Sequence, residues 1–306
     1  MQPSRDSIRA LLEIIQPQST AFTIHELAGS YSNHTHLIEA ETGEEIVKRY
    51  VLRRYAGDGD DRAQKARREY ETLKLLQAHQ VPAPSPLLVD ETGTVLDSPG
   101  IVTEFVHGQL IEAQPESKEW AGNVGQTAKM LAQIHATPFP DTAKAFLWDG
   151  NLDAVWFLDS GQVPVYMKGH PDGALVWNAV QTLFPERNPV RPCLAHLDYW
   201  SGNILWDQGE IVAVVDWEDC GYGDPGLDVA YCRMELFLEG MDDAADQLLR
   251  LYEAQAGRPV ANLGLWELAA TARPMRELDQ WLTRPFMAQR FRRFIAKAAE
   301  RAGYHR

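Results

Sequence analysis

The chain has 306 residues, of which 45% are hydrophobic and 24% charged, and its net charge is −14. That length is at or above what one hydrophobic core serves, so two packed domains are expected, and the composition excludes extended disorder. No apolar run is long enough to span a bilayer, and the acidic excess repels polyanions, so neither a membrane nor a nucleic acid is expected as a partner. The cysteines are Cys193, Cys220 and Cys232, an odd number with no C-x-x-C spacing. With residues 1–18 not reading as a signal peptide, they point to a reducing, cytoplasmic setting.

Along the chain, Ile8, Leu11, Leu12 and Ile15 form one stripe and predict a helix over 5–16. Three strand-like runs follow at 21–27, 35–40 and 45–55, the first two separated by the small, flexible stretch 28–33 and the last two by Thr42-Gly43. The Gly57–Asp61 stretch breaks the chain, with Asp61 as the expected N-cap of a charged helix over 62–79 that Pro82, Pro84 and Pro86 terminate. Strands at 87–90 and 101–106 complete a β-rich N-terminal domain, 1–107, and the rest, 108–306, forms a second domain. There a helix is expected over 117–136, with Val124, Ala128, Leu131 and Ile134 spaced for burial. Residues 138–192 show no period, short strands return at 193–195, 204–206 and 211–215, and almost everything after Asp224 reads as helix.

The most informative stretch is His196-Leu197-Asp198-Tyr199-Trp200-Ser201-Gly202-Asn203, followed by Val214-Val215-Asp216-Trp217. It reads H-x-D-x-x-x-x-N, a short hairpin, then an aspartate closing an apolar strand. Phosphoryl transfer calls for these parts: a carboxylate to accept the nucleophile's proton, and an amide oxygen and a second carboxylate to hold Mg²⁺. A lone H-x-D is weak, but this spaced triplet is specific.

The segment 193–235, with Gly223-Asp224-Pro225-Gly226-Leu227-Asp228-Val229-Ala230, resembles the aminoglycoside phosphotransferase family in the broad sense that includes macrolide, choline and homoserine kinases. The resemblance, nearest to macrolide phosphotransferase-like members, implies an α+β, two-lobed protein-kinase-like fold: a β-rich N-lobe with one main helix and a mostly helical C-lobe. It implies a kinase that moves the γ-phosphoryl group of ATP (or GTP), with Mg²⁺, to a hydroxyl of a small-molecule acceptor. Asp198 would be the catalytic base, His196 the brace of its loop, and Asn203 and Asp216 the metal ligands. Gly29, Ser32 and Asn33 match the phosphate-covering loop, Arg53 the strand residue that grips the α/β-phosphates, and Glu69 its helix partner. Glu104 and Val106 fall in the hinge, where backbone groups would meet the adenine edge. Leu197 departs from the family, which usually has glycine there.

Plainer readings stand beside these. Glu69 could pair with Lys65 on a helix surface, and residues 28–33 could be an ordinary hairpin turn. His34 and His36 share a strand face, but no third metal ligand follows them. His135 reads as a packing histidine, and Asp224-Pro225 as a helix start, which leaves Asp224 and Asp228 outside the catalytic set. The basic run Arg290, Arg292, Arg293, Lys297 and Arg301 reads as a solvated amphipathic helix, while Trp148, Trp156 and Trp177 lie where an acceptor would bind. The alternatives to an active kinase are a nucleotide-binding scaffold and a metal-dependent hydrolase.

Overall fold

A computed structural model describes residues 2–27, 33–43, 46–57, 59–111, 113 and 118–305. The chain divides into two compact units, residues 1–108 with 212–219, and residues 109–211 with 220–306.

In the first unit, helix α1 (Arg5–Ile15) starts at Ser4, whose Oγ accepts the Ser7 N–H at 3.1 Å. The strands are β1 (Ser19–Glu26), β2 (Asn33–Thr42), β3 (Ile46–Tyr55), β4 (Pro86–Asp90) and β5 (Gly100–Glu104), and they form one antiparallel sheet in the order β1-β2-β3-β5-β4. Alternation sends Ile38 and Ala40 of β2 and Tyr50 and Leu52 of β3 into a core with Ile8, Leu11 and Leu12 of α1. The same alternation turns Arg53 of β3 to the opposite face. Helix α2 (Gly59–Ala78) packs on β3, β4 and β5, with Ala66, Arg68, Glu69, Leu73 and Leu76 buried. It begins before Asp61, so that residue lies within the helix and is not its cap. His36 is buried and His34 exposed, and no group of three or more His, Cys, Asp or Glu able to hold a metal occurs among the described residues.

The second unit contains β6 (Gln109–Leu110), α3 (Lys118–Ala136), β7 (Trp148–Asp149), α4 (Gly150–Asp153), α5 (Val165–Lys168), α6 (Gly173–Leu183), β8 (Cys193–Ala195) and β9 (Ile204–Asp207). Strand β10 (Glu210–Val214) carries the chain back into the first unit. After β11 (Gly221–Gly223) come α7 (Gly226–Leu238), α8 (Asp242–Ala256), α9 (Leu263–Ala270), α10 (Ala272–Arg276), α11 (Leu278–Trp281) and α12 (Pro285–Arg301). Residues 138–192, which show no period, hold the four-residue helices α4 and α5, too short to display one, together with the eleven-residue α6. Helix α7 is buried along nearly its whole length and packs against α8, α9 and α12. Its Arg233 is buried without loss because Glu267 accepts from Nε at 2.8 Å and Asp246 from Nη2 at 3.2 Å.

The sequence reading placed residues 212–219 in the second domain, and the structure corrects this. Val214 N–H donates to Pro82 O at 2.9 Å, and the residues after it bond to β3 and α2. The basic run on α12 is spent on neighbouring acids: Arg290 on Asp242 at 2.7 Å, Arg292 on Asp172 at 3.0 Å and Arg301 on Glu267 at 2.9 Å. No described helix is long and apolar enough to cross a membrane.

Helices α9 and α12 meet at Gly264, where a Cβ would stand 2.5 Å from the Ala302 nitrogen and 2.8 Å from its Cα. Backbone cannot yield as a side chain can, so Gly264→Ala is expected to cost about 1–3 kcal/mol. A lower melting temperature in thermal unfolding checks this, and an unchanged one contradicts it.

Candidate active site

Strand β8 delivers the chain into the loop 196–203, and the buried Asp228 of α7 holds the loop's entrance. Its carboxylate accepts the N–H of His196 at 2.8 Å and of Leu197 at 2.7 Å, and meets His135 Nε2 at 2.9 Å. Burial alone would push this carboxyl up, but the hydrogen bond and charge of His135, with those of His196, hold it below the usual aspartate value. His135 Nδ1 lies 2.7 Å from the Tyr252 hydroxyl, so the histidine joins two helices to the loop. Asp228 and His135 are therefore structural anchors of the loop. The G-D-P-G-L-D pattern carried that signal, but helix-start chemistry explained only its first aspartate.

Within the loop, His196 is fully buried and its Nδ1 accepts the Asp198 N–H at 3.3 Å. Asn203 Nδ2 donates to the Asp198 carbonyl at 2.9 Å and to Oδ2 at 2.8 Å. Leu197 has φ of 65°, in the left-handed region that non-glycine residues rarely enter. Its side chain packs beside Gly150 and Gly221, where an added Cβ would come within 3.0 Å of a Leu197 methyl. Arg273 of α10 donates Nη2 to the Leu197 carbonyl at 2.8 Å and Nη1 to Asp198 Oδ1 at 3.3 Å. Its distance along the chain hid it from sequence reasoning.

A narrow pocket beside this loop is lined by Trp156, Leu197, Leu227, Tyr231, Trp266 and Arg273 among others. Trp148 is partly exposed outside this lining, whereas Trp177 is buried. Among the acidic residues of this region, Asp153 lines the pocket, Asp149 caps α4 through the N–H groups of Asn151 and Leu152, and Asp172 pairs with Arg292. Close to Asp198 in the electrostatics of this region stands Glu235 of α7.

The first unit assembles a second set of groups. The Arg53 guanidinium binds the Asp216 carboxylate and lies 3.5 Å from Glu69 Oε2. Burial works against the arginine's charge, and the Glu69 and Asp216 carboxylates more than restore it. Glu69 is buried and accepts the Tyr55 hydroxyl, while burial raises its pKa against the pull of Arg53. Lys65 meets Asp61 at 4.0 Å and Glu218 at 3.9 Å, so the surface pairing of Glu69 with Lys65 is not what forms. Asp216 has φ of 68° directly after the apolar strand.

Glu218, which the sequence did not single out, ties this set together. Its Oε2 accepts Asn33 Nδ2 at 2.6 Å, its carbonyl accepts Arg68 Nη1 at 2.6 Å, and Asn33 Oδ1 accepts the Ala56 N–H at 3.2 Å. Burial, then the charges of Asp216 and Asp219, push the Glu218 carboxyl up to about 7. Gly29 and Ser32 lie outside the described residues. In the hinge stretch, the Glu104 N–H donates to Ser85 O at 2.9 Å. That donor is spent within the sheet, which corrects half of the backbone expectation at Glu104 and leaves its carbonyl. Val106 follows the end of β5 in extended, irregular chain.

Taken one at a time, the two residues have donor chemistry that suits Mg²⁺: in the second unit Asn203 commits its amide nitrogen and keeps its amide oxygen as a hard donor, and in the first unit Asp216 is a carboxylate.

The model of the phosphotransferase enzyme family matches residues 23–263. A 4-hydroxytryptamine kinase of Psilocybe cyanescens is 28% identical over 192 residues, 56% of this chain and 53% of that protein. An Arabidopsis thaliana protein assigned as the acyl-CoA dehydrogenase IBR3 is 26% identical over 245 residues, 70% of this chain and 28% of that protein. The chain thus spans about half or less of the length of these curated relatives. Among solved structures, ethanolamine kinase of Plasmodium vivax superposes with a TM-score of 0.65 at 14% identity, covering 95% of this chain and 86% of that one. A thermostable mutant of aminoglycoside phosphotransferase APH(4)-Ia, in ternary complex with AMP-PNP and hygromycin B, gives 0.63 at 18% identity, covering 97% and 99%. At such identities these likenesses establish the fold: two-lobed, α+β and kinase-like.

Glu235 is partly buried, and its Oε1 is fully buried with no hydrogen-bond partner. Burial, then the charges of Asp198 and Glu239, push its carboxyl up to about 8 from the ordinary 4.5. Folding therefore takes up a proton at this site. The stabilisation is complete below about pH 4.5 and drains away as pH rises towards 8. Glu235→Gln lacks this dependence. Its unfolding free energy should gain on the wild type by up to about 1.4 kcal/mol per pH unit across that window. Denaturant unfolding at a series of pH values measures it, and parallel profiles contradict it.

Proposed function

The chain belongs to the phosphotransferase enzyme family, and from that premise we propose that it transfers a phosphoryl group to a hydroxyl of a small molecule, with its residues dividing the work as follows. The donor is ATP (or GTP). Asp198 accepts the acceptor's hydroxyl proton through a carboxylate oxygen, the freed oxygen attacks the γ-phosphorus, and the bond to the β-phosphate bridging oxygen breaks to release the nucleoside diphosphate. The observation that carries this reading is the loop in which Asp228 fixes the backbone before Asp198 while Asn203 clasps its carboxylate.

Asn203 and Asp216 are the residues that would hold Mg²⁺, which when bound supplies positive charge against the β- and γ-phosphates. Arg53, with its forked guanidinium held by Glu69, serves the α/β-phosphates, and Asn33 at the start of β2 braces the phosphate-covering segment through Glu218. His196, fully buried, steadies the loop from beneath: its Nδ1 accepts the Asp198 N–H and its own N–H is held by Asp228. Backbone groups at Glu104 and Val106 meet the adenine. The aromatic pocket beside Leu197 receives the acceptor, a small molecule such as an aminoglycoside, macrolide, amino alcohol or related metabolite. The likeness to 4-hydroxytryptamine kinase supports an amine-bearing acceptor, and Asp153 on the pocket lining is the carboxylate placed to meet its charge. Three buried thiols, Cys193, Cys220 and Cys232, support a cytoplasmic setting.

A coupled assay of ADP release from MgATP (with MgGTP in parallel) across 4-hydroxytryptamine, ethanolamine, hygromycin B, macrolides and hydroxyacyl-CoA thioesters tests the reading. Turnover is expected with a hydroxyl acceptor and loss of turnover on chelation of Mg²⁺. Asp198→Asn should lower kcat by about 10²–10⁴-fold while nucleotide affinity stays at the wild-type value. Turnover retained in Asp198→Asn removes Asp198 as the base.

A further inference from the structure

We propose that Arg273 is a positioning residue for the Asp198 carboxylate, acting through a two-pronged hold on the Leu197–Asp198 peptide and on the carboxylate itself. This rests on Asp198 being the base, as proposed above.

Leu197 sits at φ of 65°, a conformation that a leucine keeps only when its surroundings impose it. The structure supplies three restraints. Asp228 takes the N–H of His196 and of Leu197, both on the upstream side. Downstream of the Leu197 Cα, the carbonyl is held by Arg273 Nη2 at 2.8 Å. Remove that donor and the 197–198 peptide is free to turn back towards ordinary backbone, which moves the Asp198 Cα with it.

The other prong acts on the side chain. Asn203 Nδ2 holds Oδ2 of Asp198 at 2.8 Å, and Arg273 Nη1 reaches Oδ1 at 3.3 Å. Each carboxylate oxygen therefore has its own donor, and the plane of the group is set from both sides. The planar guanidinium suits this double duty because its N–H groups diverge in a fixed fork, which a lysine ammonium lacks. Arg273 is in turn held in place, with its guanidinium 4.8 Å from the centre of the Tyr231 ring. Its helix α10 packs on α5, α6 and α9.

The test uses the full chain with MgATP alone as probe, following its hydrolysis by water, together with hydrogen exchange of the backbone at 193–203. In Arg273→Gln, kcat should fall about tenfold to a hundredfold with KM for MgATP unchanged, as a misplaced group costs rate and not nucleotide binding. Exchange at 193–203 should quicken, and Arg273→Lys should recover part of the lost kcat. Asp198→Asn is measured alongside: hydrolysis retained there takes down the base assignment and the positioning role with it. If Asp198→Asn is inactive but Arg273→Gln keeps wild-type kcat and wild-type exchange, the positioning role alone is overturned. It is equally overturned if Arg273→Lys is no better than Arg273→Gln and both losses follow a lowered melting temperature.

Discussion

A buried carboxylate at the start of α7 is the constraint on which the second unit's chemistry depends. Asp228 is fully buried, and an ionised carboxylate in that position is tolerable only if donors replace the water it has lost. The donors are two consecutive backbone N–H groups of the 196–203 loop and the ring of His135 on α3. The exchange is mutual, since those N–H groups have no strand partner where β8 ends and would themselves be orphaned without it. One charge thus joins α3, α7 and the loop, and it does so at the residue pair that precedes Asp198. The left-handed turn at Leu197 comes directly after these two N–H groups.

The first unit solves the same problem with opposite signs. Arg53 is a buried cation on a β-strand, and Glu69, Tyr55 and Asp216 gather around it. In such a network each group is costly alone and favourable only in company. Glu218 extends it to Asn33 and Arg68, so the start of β2, helix α2 and the Asp216 turn share one set of bonds. Burial first, and then the neighbouring Asp216 carboxylate, raises the carboxyls of Glu69 and Glu218 against the pull of Arg53.

Where period and spacing carry the information, the sequence was legible. The stripe Ile8, Leu11, Leu12 forms α1, alternation in β2 and β3 separates the core face from the Arg53 face, and the H-x-D-x-x-x-x-N spacing marks the loop that Asp198 and Asn203 share. Residues 138–192 were opaque because helices of four residues, such as α4 and α5, complete barely one turn and leave no period to read. Asp228 was passed over because a helix start next to proline already had a sufficient explanation in Asp224. Arg273 could not be found at all, since its partners lie 75 and 76 residues away and no local pattern requires it. The placement of residues 212–219 in the first unit was hidden for the same reason: it depends on long-range bonds to β3 and α2.

The central claim is that this chain moves a phosphoryl group from ATP onto a hydroxyl, with Asp198 taking the proton. Phosphorus-31 NMR of MgATP incubated with the acceptor tests it most directly, because it identifies the product and not merely the consumption of ATP. The account predicts a new phosphomonoester resonance growing in step with ADP in the wild type and absent with Asp198→Asn. Inorganic phosphate as the sole product with every hydroxyl compound, or an ester that forms equally well with Asp198→Asn, would contradict it.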